Sequence, residues 1–257
     1  MSELSKALRE RAADSISQLR RAVSEFKNVC YANSLGSESM VLTDLIWGAA
    51  PEIGQEIGPN LGQEIEIFSI DTGRLYPETY DLIDRLQQRY GRSLKIYYPK
   101  ADDLEGWVGK NGINGFRDSP DQRRGCCGVR KVEPFRRALS GRSAWVTGIR
   151  RGQSASRALA APVEWDGVYG LHKVSPLLDW SENEIWEYIR KKRLPYNTLH
   201  DSGFPSIGCA PCTRAVQPGE DARSGRWWWE RSDSRECGLH PRRATPAVGA
   251  AVRAPKH

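Results

Sequence analysis

The chain has 257 residues, 39% of them hydrophobic, and a formal net charge of +6. That is enough to bury one substantial core, so a single domain with appended segments is expected. No apolar stretch approaches a membrane span, and the first 21 residues hold no signal-peptide run, so a reducing cytoplasmic setting without a membrane partner is expected. The charge sits at the end: Arg242, Arg243, Arg253 and Lys256 face no acid beyond Pro241, leaving 34 bases against 32 acids before it. A nucleic-acid partner is therefore not expected, although a local phosphate or sulfate pocket stays open.

In chain order, Leu4, Leu8, Ile16, Leu19, Val23 and Phe26 fall at near-helical spacing, predicting an amphipathic helix over 3–27. A short strand over 28–32 follows, with Cys30 as a buried strand residue. Next come the Gly/Ser turn Ser34-Leu35-Gly36-Ser37-Glu38-Ser39 and an apolar helix over 40–50. The second unit is a strand over 65–70, the turn Asp71-Thr72-Gly73-Arg74 and a helix over 77–90. Further strands are predicted at 94–98 and 144–147, the latter running into Arg150-Arg151-Gly152-Gln153-Ser154, and an extended run at 174–178. Ser181 with Glu184 three residues on has capping-box spacing before a helix containing Ile185, Trp186, Tyr188 and Ile189. Beyond Leu194 regular periodicity fades, and the composition of 241–257 reads as disordered.

This alternation predicts an α/β fold, a parallel twisted sheet with helices on both faces and a loop-rich C-terminal segment. In such sheets ligands sit at the carboxyl ends of the strands. The Ser-rich turn, Asp71-Thr72-Gly73 and the Arg150-Arg151 pair all occupy such ends and would converge on a pocket suited to a mononucleotide. The Ser-rich turn lacks the Gly-Lys-Ser/Thr of a P-loop, which weakens an NTP-hydrolysing reading. Ser37 or Ser39 acting as a plain helix N-cap is the simpler alternative.

The cysteines carry the most specific signal. Cys209 and Cys212 are spaced as metal ligands, and the adjacent Cys126 and Cys127 offer a second pair. Zinc is the first candidate for four cysteines. Adjacent ligands are awkward for one tetrahedral ion and easier for an iron–sulfur cluster, in which each thiolate meets its own iron. Arg123, Arg124, Arg130 and Lys131 would offset an anionic thiolate set, or simply form a solvated basic surface. Cys237 stands apart in Glu236-Cys237-Gly238-Leu239-His240, with Arg223, Arg226 and Arg235 upstream. Positive surroundings lower a thiol pKa and suit a nucleophile, whereas an incidental exposed cysteine is the bland reading.

Taken together these segments resemble the assimilatory sulfonucleotide reductases, in particular the iron–sulfur adenylyl-sulfate (APS) reductases. The resemblance rests on residues 34–39 and 70–74, on Cys126-Cys127-Gly128-Val129-Arg130-Lys131 and on 147–154, 200–214, 219–230 and 236–240. It spans about residues 26–240, with one departure at Ser39. It implies an adenine-nucleotide alpha-hydrolase-like fold, with a nucleotide- and cluster-binding domain over 1–212 and a mobile catalytic tail over 213–240. It also implies one 4Fe-4S cluster on Cys126, Cys127, Cys209 and Cys212, and Cys237 as the nucleophile. Ser34, Gly36, Ser37, Glu38, Asp71, Thr72, Gly73 and Arg151 match the nucleotide pocket. Lys131, Arg223, Arg226 and His240 match positions that hold the phosphosulfate, Lys131 and His240 alongside Cys237 in the chemistry. The implied reaction belongs to sulfate assimilation and converts APS to sulfite and AMP through an S-sulfocysteine, with thioredoxin or a similar dithiol as reductant. A homo-oligomer is expected. The cluster is expected to position Lys131 and tune the local field without passing electrons. The rival readings are a 3'-phosphoadenylyl-sulfate (PAPS) reductase, whose group generally lacks the four cluster cysteines, and a non-catalytic zinc- or nucleotide-binding module.

Overall fold

The computed structural model describes residues 4–48, 61–153 and 157–230. Ser5 caps helix α1 (Lys6–Glu25) by accepting the Leu8 N–H at 3.3 Å. Leu8, Ala12, Ile16, Leu19 and Ala22 form its buried stripe, the helical period expected from sequence. Ser15 shares that stripe because its hydroxyl donates to the Pro176 carbonyl at 2.8 Å and accepts from the Trp180 indole at 3.0 Å.

Strand β1 (Cys30–Ala32) leads through the Ser-rich turn into α2 (Ser37–Thr43), which widens into a π turn over Asp44–Gly48. The short α3 (Leu61–Glu64) precedes β2 (Glu66–Ile70), α4 (Pro77–Tyr90) and β3 (Lys95–Tyr97). Three helices follow that hydrophobic periodicity does not announce: α5 (Ala101–Asn111), α6 (Pro120–Cys127) and α7 (Glu133–Leu139), the last two joined by a π turn over Gly128–Val132. Then come β4 (Ala144–Val146), β5 (Val163–Asp166), β6 (Leu171–Val174) and α8 (Glu182–Lys192). The capping box at α8 is present, with both Ser181–Glu184 hydrogen bonds made. No helix among the described residues is long and apolar enough to cross a membrane.

The six strands form one sheet in the order β3-β2-β1-β4-β6-β5, parallel except for β5, which pairs antiparallel with β6. That edge hairpin departs from the all-parallel expectation. The extended run expected at 174–178 also differs: the strand ends at Val174, and residues 175–178 turn, with the Leu178 N–H reaching the Ser175 carbonyl at 3.2 Å. Leu177 and Leu178 are apolar because that turn is buried, not because it joins the sheet.

Strand alternation builds two cores. Val29 and Tyr31, Ile65 and Ile67, Ala144 and Val146 face the side of α1, α2, α4 and α8, while Cys30, Phe68 and Trp145 face α7 through Phe135, Ala138 and Leu139. Each fully buried large apolar side chain contributes about 1.5–3 kcal/mol on folding. Cys30 is a core residue as expected, and burial pushes its thiol up to about 12. Strand order reverses between β1 and β4, so the crevice at their carboxyl ends is where a ligand is expected.

Candidate functional site

A cleft of about 1000 Å³ opens at that crevice, walled by the turn after β1, the residues after β2 and β4, and the loop-rich segment from Tyr196 to Arg226. Asn33 shapes the first wall. Its side chain donates to the Thr43 hydroxyl at 2.9 Å and accepts the Leu35 N–H at 2.8 Å, holding Leu35 in the left-handed region at φ 60°. The Ser34 N–H and hydroxyl both meet the Ser39 hydroxyl, at 3.1 and 2.9 Å. Ser39 is therefore spent on the turn and Ser37 is already helical. The N-cap is Gly36, whose lack of a side chain leaves the first amides of α2 uncapped beside the cleft. Ser34, Gly36, Ser37 and Glu38 all line this wall.

The arginine pair after β4 divides. Arg150 is buried and lines the cleft, its Nε donating to Glu38 at 2.8 Å while Gln153 reaches the same carboxylate oxygen at 2.9 Å. Arg151 stands outside the cleft wall, its guanidinium on Asp179 and, at 3.0 Å, on the Ala160 carbonyl. Arg150, Gln153 and Arg157 thus supply the polar contacts on this side. The sequence signal for Arg150 was its place directly after an apolar strand.

At the β2 turn only Thr72 lines the cleft. Asp71 accepts the Gly73 N–H at 2.7 Å and the Tyr80 hydroxyl at 3.1 Å, and Gly73 takes φ +71°. Both therefore shape the turn. The Thr72 hydroxyl sits 3.2 Å from the Cys209 sulfur, which links this turn to the second feature of the site.

Cys126, Cys127, Cys209 and Cys212, separated by up to 86 positions in the chain, line one small cavity behind the cleft. Ser119 caps α6 and Pro120 starts it, so that its last turn presents Cys126 and Cys127. The second pair is fixed by the Ala210 N–H on the Arg74 carbonyl at 2.8 Å and by the Tyr76 hydroxyl on the Thr213 carbonyl at 2.7 Å. Among the described residues no three histidine, cysteine or carboxylate side chains meet as a single-ion ligand set. The thiols surround the cavity instead. Burial pushes the Cys212 thiol up to about 12 and raises Cys126, where the Arg130 guanidinium opposes the shift. Arg74, Arg123, Arg130, Lys131 and Arg226 share the wall with Phe116, Pro211 and Trp227, and the buried Arg130 Nε has no hydrogen-bond acceptor among the described residues. Four thiols ringed by cations, one with an unused donor, fit an anionic thiolate-bound centre.

Lys131, Thr72, Cys209 and Arg226 line both the cleft and the cysteine cavity. Lys131 reaches this position because the π turn carries it past Cys127. Arg226 lies where a Cβ at Gly208 would overlap its guanidinium, which explains a glycine beside Cys209. Arg223 lines the cleft as well. Cys237 and His240 lie outside the described residues, as does the tail over 241–257.

The phosphoadenosine phosphosulfate reductase domain family matches residues 28–215. A protein of Allochromatium vinosum named adenosine 5'-phosphosulfate reductase is 48% identical over 236 residues, covering 92% of this chain and 88% of that protein. One of the same name from Neisseria meningitidis serogroup B is 45% identical over 235 residues, covering 91% of each. Among solved structures, the phosphoadenylyl-sulfate reductase of Candida auris in its phosphate complex aligns with a TM-score of 0.63 at 27% identity, over 84% of this chain and 99% of that one. The FMN adenylyltransferase of Candida glabrata with FAD and pyrophosphate aligns at a TM-score of 0.54 and 17% identity, over 86% and 72%. That last likeness extends to the fold alone.

Proposed function

The chain belongs to the phosphoadenosine phosphosulfate reductase family, and on that premise we propose that it reduces adenylyl sulfate to sulfite and AMP, with Cys237 as the nucleophile. The observation that carries the reading is the sharing of Lys131, Thr72, Cys209 and Arg226 between the nucleotide-sized cleft and the four-cysteine cavity. The uncapped amides of α2, Ser34 and Arg150 offer donors to the adenylyl phosphate. Lys131, Arg223 and Arg226, joined by His240, face the sulfate. Cys237 attacks the sulfate sulfur as a thiolate; the new S–S bond forms as the S–O bond to AMP breaks, and AMP leaves with that electron pair. Thiolate and sulfate repel each other, so fixed cations beside the reacting groups lower the barrier. A dithiol carrier of the thioredoxin type then cleaves the S–S bond of the S-sulfocysteine. Sulfite departs with the bonding pair, the carrier becomes a disulfide and Cys237 returns as a thiol.

Cys126, Cys127, Cys209 and Cys212 would hold a 4Fe-4S cluster, which would supply a fixed anionic charge against which Lys131 and Arg130 are set. The family resemblance favours the cluster over zinc, and the cation-rich wall of the cavity fits an anionic centre. The proposal further places the protein in the cytoplasm, as a homo-oligomer. Sulfite release from APS and from PAPS with reduced thioredoxin tests the function, and turnover of APS well above that of PAPS is expected. PAPS turnover alone would favour the sister activity, and turnover of neither would leave a binding module. Cys212→Ser is expected to lower bound iron and visible absorption to near zero and sulfite release at least about 100-fold. Full iron content in that variant would remove Cys212 from the ligand set.

A further inference from the structure

Behind the cysteine cavity lies an ion pair that the proposed chemistry does not use. Arg123, on α6 three residues before Cys126, donates from Nε to Glu230 at 2.6 Å, and both side chains are almost fully buried. The Arg123 guanidinium also packs on the Trp227 ring, 4.4 Å from its centroid, and the Arg226 guanidinium lies 4.8 Å from the same centroid. Trp227 is itself buried and takes φ +46°, a left-handed backbone that a bulky side chain rarely adopts unless its surroundings enforce it. Its N–H is tied to the Cys212 carbonyl at 3.0 Å, its carbonyl receives the Glu230 N–H at 2.9 Å, and Arg226 bridges Thr213. Three anchors therefore converge within five residues: a stacked arginine of the cleft, a strained tryptophan and a buried carboxylate clamped to the cysteine-bearing helix.

Burying an arginine and a carboxylate carries a large desolvation cost, and replacement by apolar residues is often neutral for stability. A pair kept there is more readily explained by the geometry it enforces. We propose that Glu230, through its buried ion pair with Arg123 against Trp227, is a positioning residue that anchors residues 226–230, from which the chain continues to Cys237, against the cysteine cavity. The inference rests on Cys237 as the nucleophile. Displacement of about 1 Å at a reacting group can cost on the order of 100-fold in rate. A loosened Glu230 would leave AMP affinity alone and slow the covalent step.

The test uses full-length enzyme with its metal content matched across variants. S-sulfocysteine formation is timed after mixing with APS in the absence of dithiol, AMP affinity is measured, and alkylation of Cys237 by iodoacetamide is followed by peptide mass. Glu230→Gln is expected to slow adduct formation about tenfold or more, with AMP affinity within about twofold and alkylation not slowed. Glu230→Asp, which keeps the charge on a shorter stem, is expected to fall between Glu230→Gln and the wild type, and it carries the test if Glu230→Gln fails to fold. Adduct formation at the wild-type rate in either folded variant would overturn the proposal, as would parallel losses in AMP affinity and rate. Sulfite release by Cys237→Ser would instead overturn the nucleophile reading, leaving a distinct signature.

Discussion

Replacing Cys237 by Ser is expected to cut sulfite release from APS by about 10⁴-fold or more, the scale on which enzymes lose rate when a covalent nucleophile is removed. A serine hydroxyl ionises far above neutral pH, whereas a thiol among cations is partly thiolate. AMP affinity is expected to stay within about twofold, because the donors proposed for the adenylyl phosphate, the turn after β1 and Arg150, do not include Cys237. The check is a thioredoxin-coupled sulfite assay beside calorimetric AMP binding. Retained turnover would remove Cys237 from the reaction. A parallel loss of AMP binding would point to a structural role.

The second large effect is expected at Lys131. A thiolate approaching a sulfate meets like charge, and Lys131 lies where cleft and cysteine cavity meet. Losing one such electrostatic contact typically costs about 10²–10³ in kcat, or about 3–4 kcal/mol of barrier. Lys131→Met is expected to fall in that range with iron content unchanged, and Lys131→Arg to recover part of the loss by restoring charge with a different shape. Measured kcat at saturating APS, read beside iron per chain, separates this effect from damage to the cysteine site. A rise in KM with kcat unchanged would mean that Lys131 serves ground-state binding only.

What sequence alone discloses here follows from which forces leave a local mark. The strands β1, β2 and β4 bury both faces and so read as short apolar runs, and α1, α4 and α8 carry apolar stripes or a capping box. Helices α5 and α6 escape that logic: α5 has no buried residue, and α6 is the polar run PDQRRGCC, whose burial centres on Arg123 and Cys126. Their placement is set by tertiary contacts around the cysteine cavity, a link that local periodicity cannot carry. The grouping of the four cysteines around one cavity was legible because the Cys126-Cys127 and Cys209–Cys212 spacings are visible in the chain. Arg150 and Arg151 were not separable, since adjacent residues after a strand point apart and only the fold decides that Glu38 takes one and Asp179 the other. The Arg123–Glu230 pair spans 107 positions and left no signal at all.

Intact-protein mass spectrometry after incubation with APS, without any dithiol, tests the central claim most directly. The account predicts one added SO₃ group per chain, located on the peptide containing Cys237 and removed as sulfite when reduced thioredoxin is added. Absence of the adduct under conditions that support turnover, or its appearance on Cys126, Cys127, Cys209 or Cys212, would contradict it.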